Sequence, residues 1–292
     1  RNWDYRYAWV RDSTFALWGL YTLGLDREAD DFFSFIADVS GITNGERHPL
    51  QVMSGVGGER TLEEEELTHL SGYDGARPVR IGNGAYNQAQ HDIWGTMLDS
   101  VYLNIKSHEA VPETLWPVLK AQVEEAIKHW KDPDRGIWEV RGEPQHFTSS
   151  KVMCWVALDR GSRLATMHGE QAHAREWAAI AEEIRADVLA HGVNERGVFT
   201  QRYGDDALDA SLLLVPLLRF LPPDDPRVRA TVLAIADELT ENELVLRYRV
   251  EETDDGLSGE EGTFTICSFW LVSALVEIGE LPRAKTLCER LL

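Results

Sequence analysis

The sequence repeats one pairing of helical segments five times. A segment that is apolar on almost every face is followed by one that is apolar along a single stripe. In the first pair, "STFALWGLYTLG" precedes "DREADDFFSFIADV", where Ala29, Phe32, Phe33 and Ile36 follow the spacing of an amphipathic helix. A helix that is apolar all round is buried on all sides, whereas a one-sided helix lies at the surface. The pattern therefore predicts five hairpins, each with an inner and an outer helix.

The inner segments recur at a nearly regular spacing. They begin near residues 12, 92, 149, 207 and 263, at intervals of 80, 57, 58 and 56 residues, and a long polar loop lengthens the first interval. A quasi-period of this kind is typical of stacked helical hairpins. We predict an all-α fold, an α/α toroid with an inner ring of helices wrapped by an outer ring, in a single domain over 1–292. The alternative is an irregular helical array.

Charge and composition limit the classes of partner. The chain has 29 basic and 49 acidic residues, a net charge of −20, which repels nucleic acid and anionic membranes. Its three cysteines lie far apart without CxxC spacing, so no zinc site or disulfide framework is indicated. Its apolar runs are too short to span a bilayer, and no signal peptide is visible. We predict a cytoplasmic protein that binds neither nucleic acid nor membranes.

The loops that enter the inner helices should open on one end of the ring. They include "RNWDYRYAWVRD" and "DPDRGIWEVRG" and are rich in Trp, Tyr, Arg, Asp and Asn. Aromatic faces pack against sugar rings, while Arg and Asp hydrogen-bond hydroxyl groups, so these loops favour a carbohydrate ligand. The sequence lacks the glycine-rich motifs of phosphate sites, a DDxxD cluster, HExxH and a serine nucleophile elbow.

Two of these loops contain candidate catalytic and binding residues. "AWVRDS" places Trp9, Arg11 and Asp12 at the start of the first inner helix, where Asp12 is alternatively a helix cap that pairs with Arg11. "RGIWEV" places Glu139 beside Trp138. A carboxyl group against an indole is partly desolvated, which raises its pKa and favours a proton donor. The alternative is that Glu139 is an ordinary surface carboxylate.

At these residues the chain resembles glycoside hydrolase family 15, the glucoamylase and trehalase family, in its bacterial and archaeal branch. The resemblance covers essentially the whole chain and rests on "RNWDYRYAWVRDS", "HLSGYDGARPVRIGN" with "QAQHD", "HFTSSKVMCWVALDR" and "EGTFTICSFWLV". It implies an exo-acting, inverting hydrolase that releases glucose from α-glucan oligosaccharides or from trehalose without a metal or other cofactor. It also implies a toroid of six hairpins, (α/α)6, and a preceding β-sandwich. We therefore expect the sixth hairpin beyond Leu292 and the β-sandwich before Arg1, so that this chain is truncated at both ends.

The resemblance also implies roles for individual residues. Glu139 would be the general acid, paired with Trp138. Other positions would bind the glucose of the buried subsite or line its pocket: Tyr5, Trp9, Arg11, Asp12, Arg247, Tyr248 and, as a weaker match to a family tryptophan, Tyr86.

The general base is the residue that the sequence does not supply. In the family it is a glutamate in a loop before the sixth inner helix, which here would lie beyond Leu292. Glu261 in "SGEEGTF" is a substitute on the predicted active face, and its alternative roles are helix N-terminal acid or pocket wall. We expect this chain to be inactive or severely impaired. The rival classes are a non-catalytic carbohydrate-binding protein and a lyase or phosphorylase on a similar toroid.

Overall fold

The computed structural model describes residues 2–39, 50–105, 111, 113, 115–256 and 262–292. These residues form ten α-helices and six two-residue strands. The helices are α1 (Val10–Thr22), α2 (Asp26–Val39), α3 (Asp92–Ile105), α4 (Trp116–His129), α5 (Thr148–His168), α6 (Gln171–His191), α7 (Leu214–Leu217), α8 (Pro226–Glu238), α9 (Thr265–Glu277) and α10 (Leu281–Leu291). The strands are β1 (Ala8–Trp9), β2 (Met53–Ser54), β3 (Glu65–Glu66), β4 (Arg80–Ile81), β5 (Thr240–Glu241) and β6 (Leu244–Val245).

The helices alternate between buried and one-sided, as the periodicity predicts. Most residues of α3 and α5 are buried, whereas α4 and α6 bury only one stripe each. One apolar core runs through helices of all five hairpins, because successive inner segments pack against one another. None of the helices in the described ranges is long and apolar enough to cross a lipid bilayer.

The inner helices α3 and α5 approach each other closely. A Cβ atom on Gly95 would lie 2.0 Å from the carbonyl oxygen of Met153, so only glycine fits there. Asp99 of α3 accepts a 2.7 Å hydrogen bond from Nε of Arg160 on α5, and Nη2 of the same arginine donates to the carbonyl of Leu218. This buried ion pair joins α3 and α5 to the end of the fourth inner segment.

Two boundaries differ from those that the sequence predicts. The fourth inner segment is a 3₁₀ helix over Ala210–Leu213 followed by the single turn α7, because Pro216 lacks an N–H group and its ring opposes a longer helix. The first inner helix begins at Val10, so Asp12 lies in its first turn and is not its N-cap. Pairing of β1 with β2 and a hydrogen bond from Val10 N to Val52 O fix the earlier start.

Helix α9 is less buried than an apolar inner helix is expected to be. Phe269 and Val276 are 38% and 48% exposed, and Phe264 just before the helix is 42% exposed. On α1, Ala16 and Gly19 are also exposed. Apart from Phe264, these exposed residues lie on the first and fifth inner helices, α1 and α9.

The loop before α5 is attached to the core through Asp134. The backbone of Asp134 pairs with that of Gln145. The carboxylate of Asp134 accepts hydrogen bonds from His91 N at 2.9 Å and from Ser150 Oγ at 2.7 Å. Burial raises the pKa of Asp134 to about 7, although these two donors act in the opposite direction. Because Glu139 follows five residues later on the same loop, Asp134 helps to fix the site.

The buried Asp134 should make the free energy of unfolding pH-dependent. Between about pH 4 and pH 7 the unfolded chain releases this proton while the folded chain keeps it, so the contribution of Asp134 to stability falls as pH rises. We expect Asp134→Asn to remove this dependence. Between pH 4 and pH 7, the difference in free energy of unfolding between the variant and the unsubstituted chain should then change by on the order of 1.4 kcal/mol per unit of pKa shift. Urea unfolding at several pH values measures it. Asp224→Asn, at an exposed position, is the control, and a constant difference between pH 4 and 7 would contradict the assignment.

Candidate active site

A cavity of about 470 Å³ opens where the loops enter the inner helices. It brings together eight of the predicted site residues: Tyr5, Trp9, Arg11, Asp12, Trp138, Glu139, Arg247 and Tyr248. Glu261 lies outside the described residues. In the described part of the chain, Tyr86 does not line this cavity; it packs against a small apolar cluster that contains Trp9, Val52 and Met53.

The carboxylate of Glu139 is held on one oxygen. Trp9 Nε1 donates to Oε1 at 2.9 Å, and Arg11 Nη2 donates to the same atom at 3.4 Å. The side chain is 20% exposed and lines the cavity. Two elements far apart in sequence therefore fix the carboxylate, while part of its surface faces the space that a ligand would occupy.

The backbone at Glu139 adopts a conformation that is unusual for a side-chain-bearing residue. Its φ is 59°, and Gly136 at φ 67° begins the turn that leads to it. Residues other than glycine rarely occupy this left-handed region, and such strain, of order 1–3 kcal/mol, concentrates at functional sites. The conformation is maintained by hydrogen bonds from Glu139 N to Gly136 O and from Val140 N to Arg135 O.

Arg11 connects the first two inner helices to the loop of Glu139. Its Nη1 donates to Gln90 Oε1 at 2.9 Å and to Asp92 Oδ2 at 3.1 Å, while Asp12 lies 3.7 Å from Nε. Burial disfavours the charged guanidinium, but the carboxylates of Asp92, Asp12 and Glu139 outweigh it and raise the pKa of Arg11. The arginine therefore stays ionised and faces Glu139 with fixed geometry.

Asp12 differs from Arg11 in its surroundings. Its side chain is 64% exposed and lines the cavity. The exposed carboxylate is accessible to a hydroxyl group of a ligand, as the predicted binding role requires.

Trp138 forms another wall of the cavity and is held by a buried carboxylate. Its Nε1 lies 2.9 and 3.0 Å from the two oxygens of Asp209. Asp209 also accepts hydrogen bonds from the backbone and hydroxyl of Ser211 and from Nε2 of Gln201. Burial raises the pKa of Asp209, although these donors counteract it. The indole that donates to Glu139 is therefore that of Trp9, whereas the indole of Trp138 donates to Asp209.

Arg247 and Tyr248 complete this side of the cavity. The guanidinium carbon of Arg247 lies 5.5 Å from the ring centroids of both Trp138 and Phe264, within cation–π range. Tyr248 is buried and donates a 2.8 Å hydrogen bond to Asp255 Oδ2. Both residues lie in a loop, "LRYRVEETDDGLSGEEGTF", that the sequence places on the active face.

Several residues at the site were not predicted as site residues. Behind the cavity they are Gln90, Asp92 and Asp209, and on its walls they include Trp3, Tyr7, Asn83, Arg141, Phe264 and Trp270. Asp92 is the first residue of α3, and Asp209 immediately precedes the fourth inner segment. In the sequence, both are therefore indistinguishable from helix caps. Within the described ranges, no group of three or more His, Cys, Asp and Glu side chains has the arrangement of a metal site.

Almost the whole chain matches a known protein family. The family model for glycosyl hydrolases family 15 matches residues 1–282. The chain belongs to this family.

Solved structures share the fold of this chain. A glycosidase in complex with glucose superposes with a TM-score of 0.71 at 21% identity, covering 96% of this chain and 72% of that one. The glucoamylase from Saccharomycopsis fibuligera superposes with a TM-score of 0.65 at 14% identity, covering 93% and 63%. The predicted α/α toroid is thereby confirmed.

Similar sequences come from curated trehalases. The chain is 84% identical over 292 residues to a trehalase of Mycolicibacterium smegmatis and 83% identical to one of Mycobacterium tuberculosis. A trehalase of Thermoplasma acidophilum is 36% identical. All of the chain is aligned in each case, but it covers only 44%, 43% and 49% of these proteins, respectively. The chain thus spans about half the length of the curated relatives that it matches.

The contacts of Asp209 predict that it positions Trp138. In Asp209→Asn, an amide group replaces one acceptor oxygen and faces donors that were bonded before, which leaves buried polar groups unpaired. We expect the free energy of unfolding to fall by about 1–3 kcal/mol and the packing of Trp138 to loosen. Chemical denaturation and near-ultraviolet circular dichroism of the 292-residue chain measure the two effects. Asp224→Asn at an exposed position should change neither; equal behaviour of the two variants would show that Asp209 has no such role.

Proposed function

We propose that the complete gene product containing this chain hydrolyses trehalose to glucose. The observation that carries the proposal is the convergence of Trp9 and Arg11 on Glu139, inside a cavity of a family 15 toroid. Trehalose is favoured over α-glucan oligosaccharides because relatives at 84% and 83% identity are trehalases, whereas an isomaltose glucohydrolase is only 26% identical. A neutral sugar also suits a chain of net charge −20. The cytoplasmic location remains a prediction.

In the proposed reaction Glu139 donates its proton to the oxygen between the two sugar rings. The bond from this oxygen to C1 of the bound glucose breaks, and a water molecule attacks C1 from the opposite face. A second carboxylate takes the proton of that water, so the configuration at C1 is inverted. Arg11, Asp12 and Arg247 would hold hydroxyl groups of the bound ring, and Trp138 would pack against it. The indole of Trp9 would orient the carboxyl group of Glu139.

We propose that the second carboxylate is supplied by residues beyond Leu292. Within the described residues, Asp12 and Glu139 are the carboxylates that line the cavity. Asp12 is assigned to substrate binding, so neither serves as the base. The chain covers 44% of its Mycolicibacterium smegmatis relative, so a protein of that length has further residues to provide one.

Glu139→Gln tests the proton donor. Glutamine keeps the shape and an acceptor oxygen for Trp9 but has no acidic proton, and general acid catalysis contributes about 10²- to 10⁴-fold to rates. We expect kcat of the complete gene product on trehalose to fall by such a factor while glucose binding persists. Glu143→Gln makes the same exchange at an exposed position of the same loop and should leave kcat unchanged. Full activity of Glu139→Gln would exclude the role, and glucose binding without turnover in the unsubstituted protein would favour a non-catalytic carbohydrate-binding protein.

The source of the base is tested by chain length and by Glu261. We expect the 292-residue chain to bind glucose but release none from trehalose, because the proposal places the carboxylate that activates water beyond Leu292. The complete gene product should be active, and Glu261→Gln within it should keep its activity. Glucose release is measured by a coupled assay. If the 292-residue chain turns over trehalose and Glu261→Gln abolishes that turnover, Glu261 is the base.

A further inference from the structure

The cavity has a second wall that the residues assigned to the bound glucose do not use. Its volume of about 470 Å³ lies in the range of about 300–1,000 Å³ that accommodates ligands larger than one small ring. Trp3, Tyr7, Asn83 and Arg141 line it alongside the predicted site residues. The space therefore has both room and polar groups for a second ring.

This second wall adjoins the position where the bond would break. Arg141 lies two residues after Glu139 on the same loop, and the ring of Tyr7 lies 6.1 Å from that of Trp9, which contacts Glu139. A ring attached to the oxygen that Glu139 protonates must lie beside Glu139, which lines the same cavity as Trp3, Asn83 and Arg141.

The wall is held rigid by Glu64. This carboxylate pairs with Nε of Arg80 and Nη2 of Arg141, both at 3.2 Å, and accepts a 2.9 Å hydrogen bond from Gly84 N. The guanidinium carbons of Arg80 and Arg141 lie 4.5 and 5.3 Å from the ring centroid of Trp3. An aromatic ring beside fixed N–H donors offers an apolar face and hydrogen bonds together, which is what a sugar ring requires.

The charges of this wall favour a neutral ring. Two arginines, Arg80 and Arg141, are accompanied by Glu64 and by Glu66, whose Oε1 lies 3.6 Å from Nη2 of Arg80. The positive charges are therefore compensated, so that a phosphorylated sugar would gain little electrostatic attraction.

We propose that Trp3, Asn83 and Arg141 form the binding site for the second sugar ring, the ring that departs with the bridging oxygen. Trp3 packs against this ring, and Arg141 and Asn83 hydrogen-bond its hydroxyl groups. The assignment rests on the proposed hydrolysis of trehalose, and it identifies the residues that select the leaving sugar. It predicts a preference for unmodified trehalose over trehalose 6-phosphate.

The test compares two substrates that share the first ring and differ in the second. Trehalose has a second ring, whereas α-glucosyl fluoride has only fluoride as its leaving group. In the complete gene product, we expect Arg141→Ala to lower kcat/KM for trehalose by about 10- to 100-fold, the loss typical of hydrogen bonds from a charged group. Hydrolysis of α-glucosyl fluoride should change less than about twofold. Trp3→Ala should behave in the same way, and Arg175→Ala, at an exposed position of α6, should affect neither substrate.

Each contrary result has a distinct meaning. An equal loss on both substrates would overturn the proposal, because Arg141 would then act on Glu139 or on the first ring. Unchanged kcat/KM for trehalose, or faster hydrolysis of trehalose 6-phosphate than of trehalose, would overturn it as well. If the unsubstituted protein hydrolyses neither substrate, the proposed function fails. Calorimetry then tests the second-ring site by itself. The site requires that trehalose binds more tightly than glucose and that Arg141→Ala abolishes this difference in affinity.

Discussion

The site depends on one buried cation. Arg11 is 7% exposed and donates hydrogen bonds to Gln90, Asp92 and Glu139. As a result α1, the start of α3 and the loop of Glu139 meet at a single guanidinium group. A charge in that position requires its partners, because breaking a buried ion pair by removing one partner typically costs about 3–5 kcal/mol. The toroid provides the partners of Arg11 because the starts of its inner helices lie at the same end of the ring.

The same reasoning applies to three other buried carboxylates, which hold residues of the cavity in place. Asp92 compensates Arg11, Asp209 orients Trp138, and Asp134 attaches the loop of Glu139 to the core. Each is buried and accepts a hydrogen bond from a distant part of the chain. Glu139 differs because its side chain reaches the cavity and its backbone has a positive φ. This combination separates the proposed proton donor from the supporting acids.

The architecture could be predicted because the spacing of apolar residues along a helix shows which of its faces are buried. A helix that is apolar on every face cannot lie at a surface, so inner and outer helices could be told apart in the sequence. The exceptions have local causes: Pro216 shortens the fourth inner helix, and the β1–β2 pairing starts α1 earlier. Periodicity does not report which loop side chains meet. The partnership of Trp9 with Glu139 spans 130 residues, and the one between Trp138 and Asp209 spans 71, so only the structure reveals them. The resemblance placed Glu139, whereas Arg141, two residues away, carried no signal of its own.

The most direct measurement of the central claim is the configuration of the glucose first released from trehalose by the complete gene product. Attack by water at C1 of the bound ring, opposite to Glu139, converts that ring into β-glucose, while the departing ring keeps its α configuration. Proton NMR spectra recorded within the first turnovers, before mutarotation, should therefore show α- and β-glucose in equal amounts. Release of α-glucose alone would indicate retention through a covalent intermediate, and a product that forms only when phosphate is present would indicate a phosphorylase; either result would contradict the account.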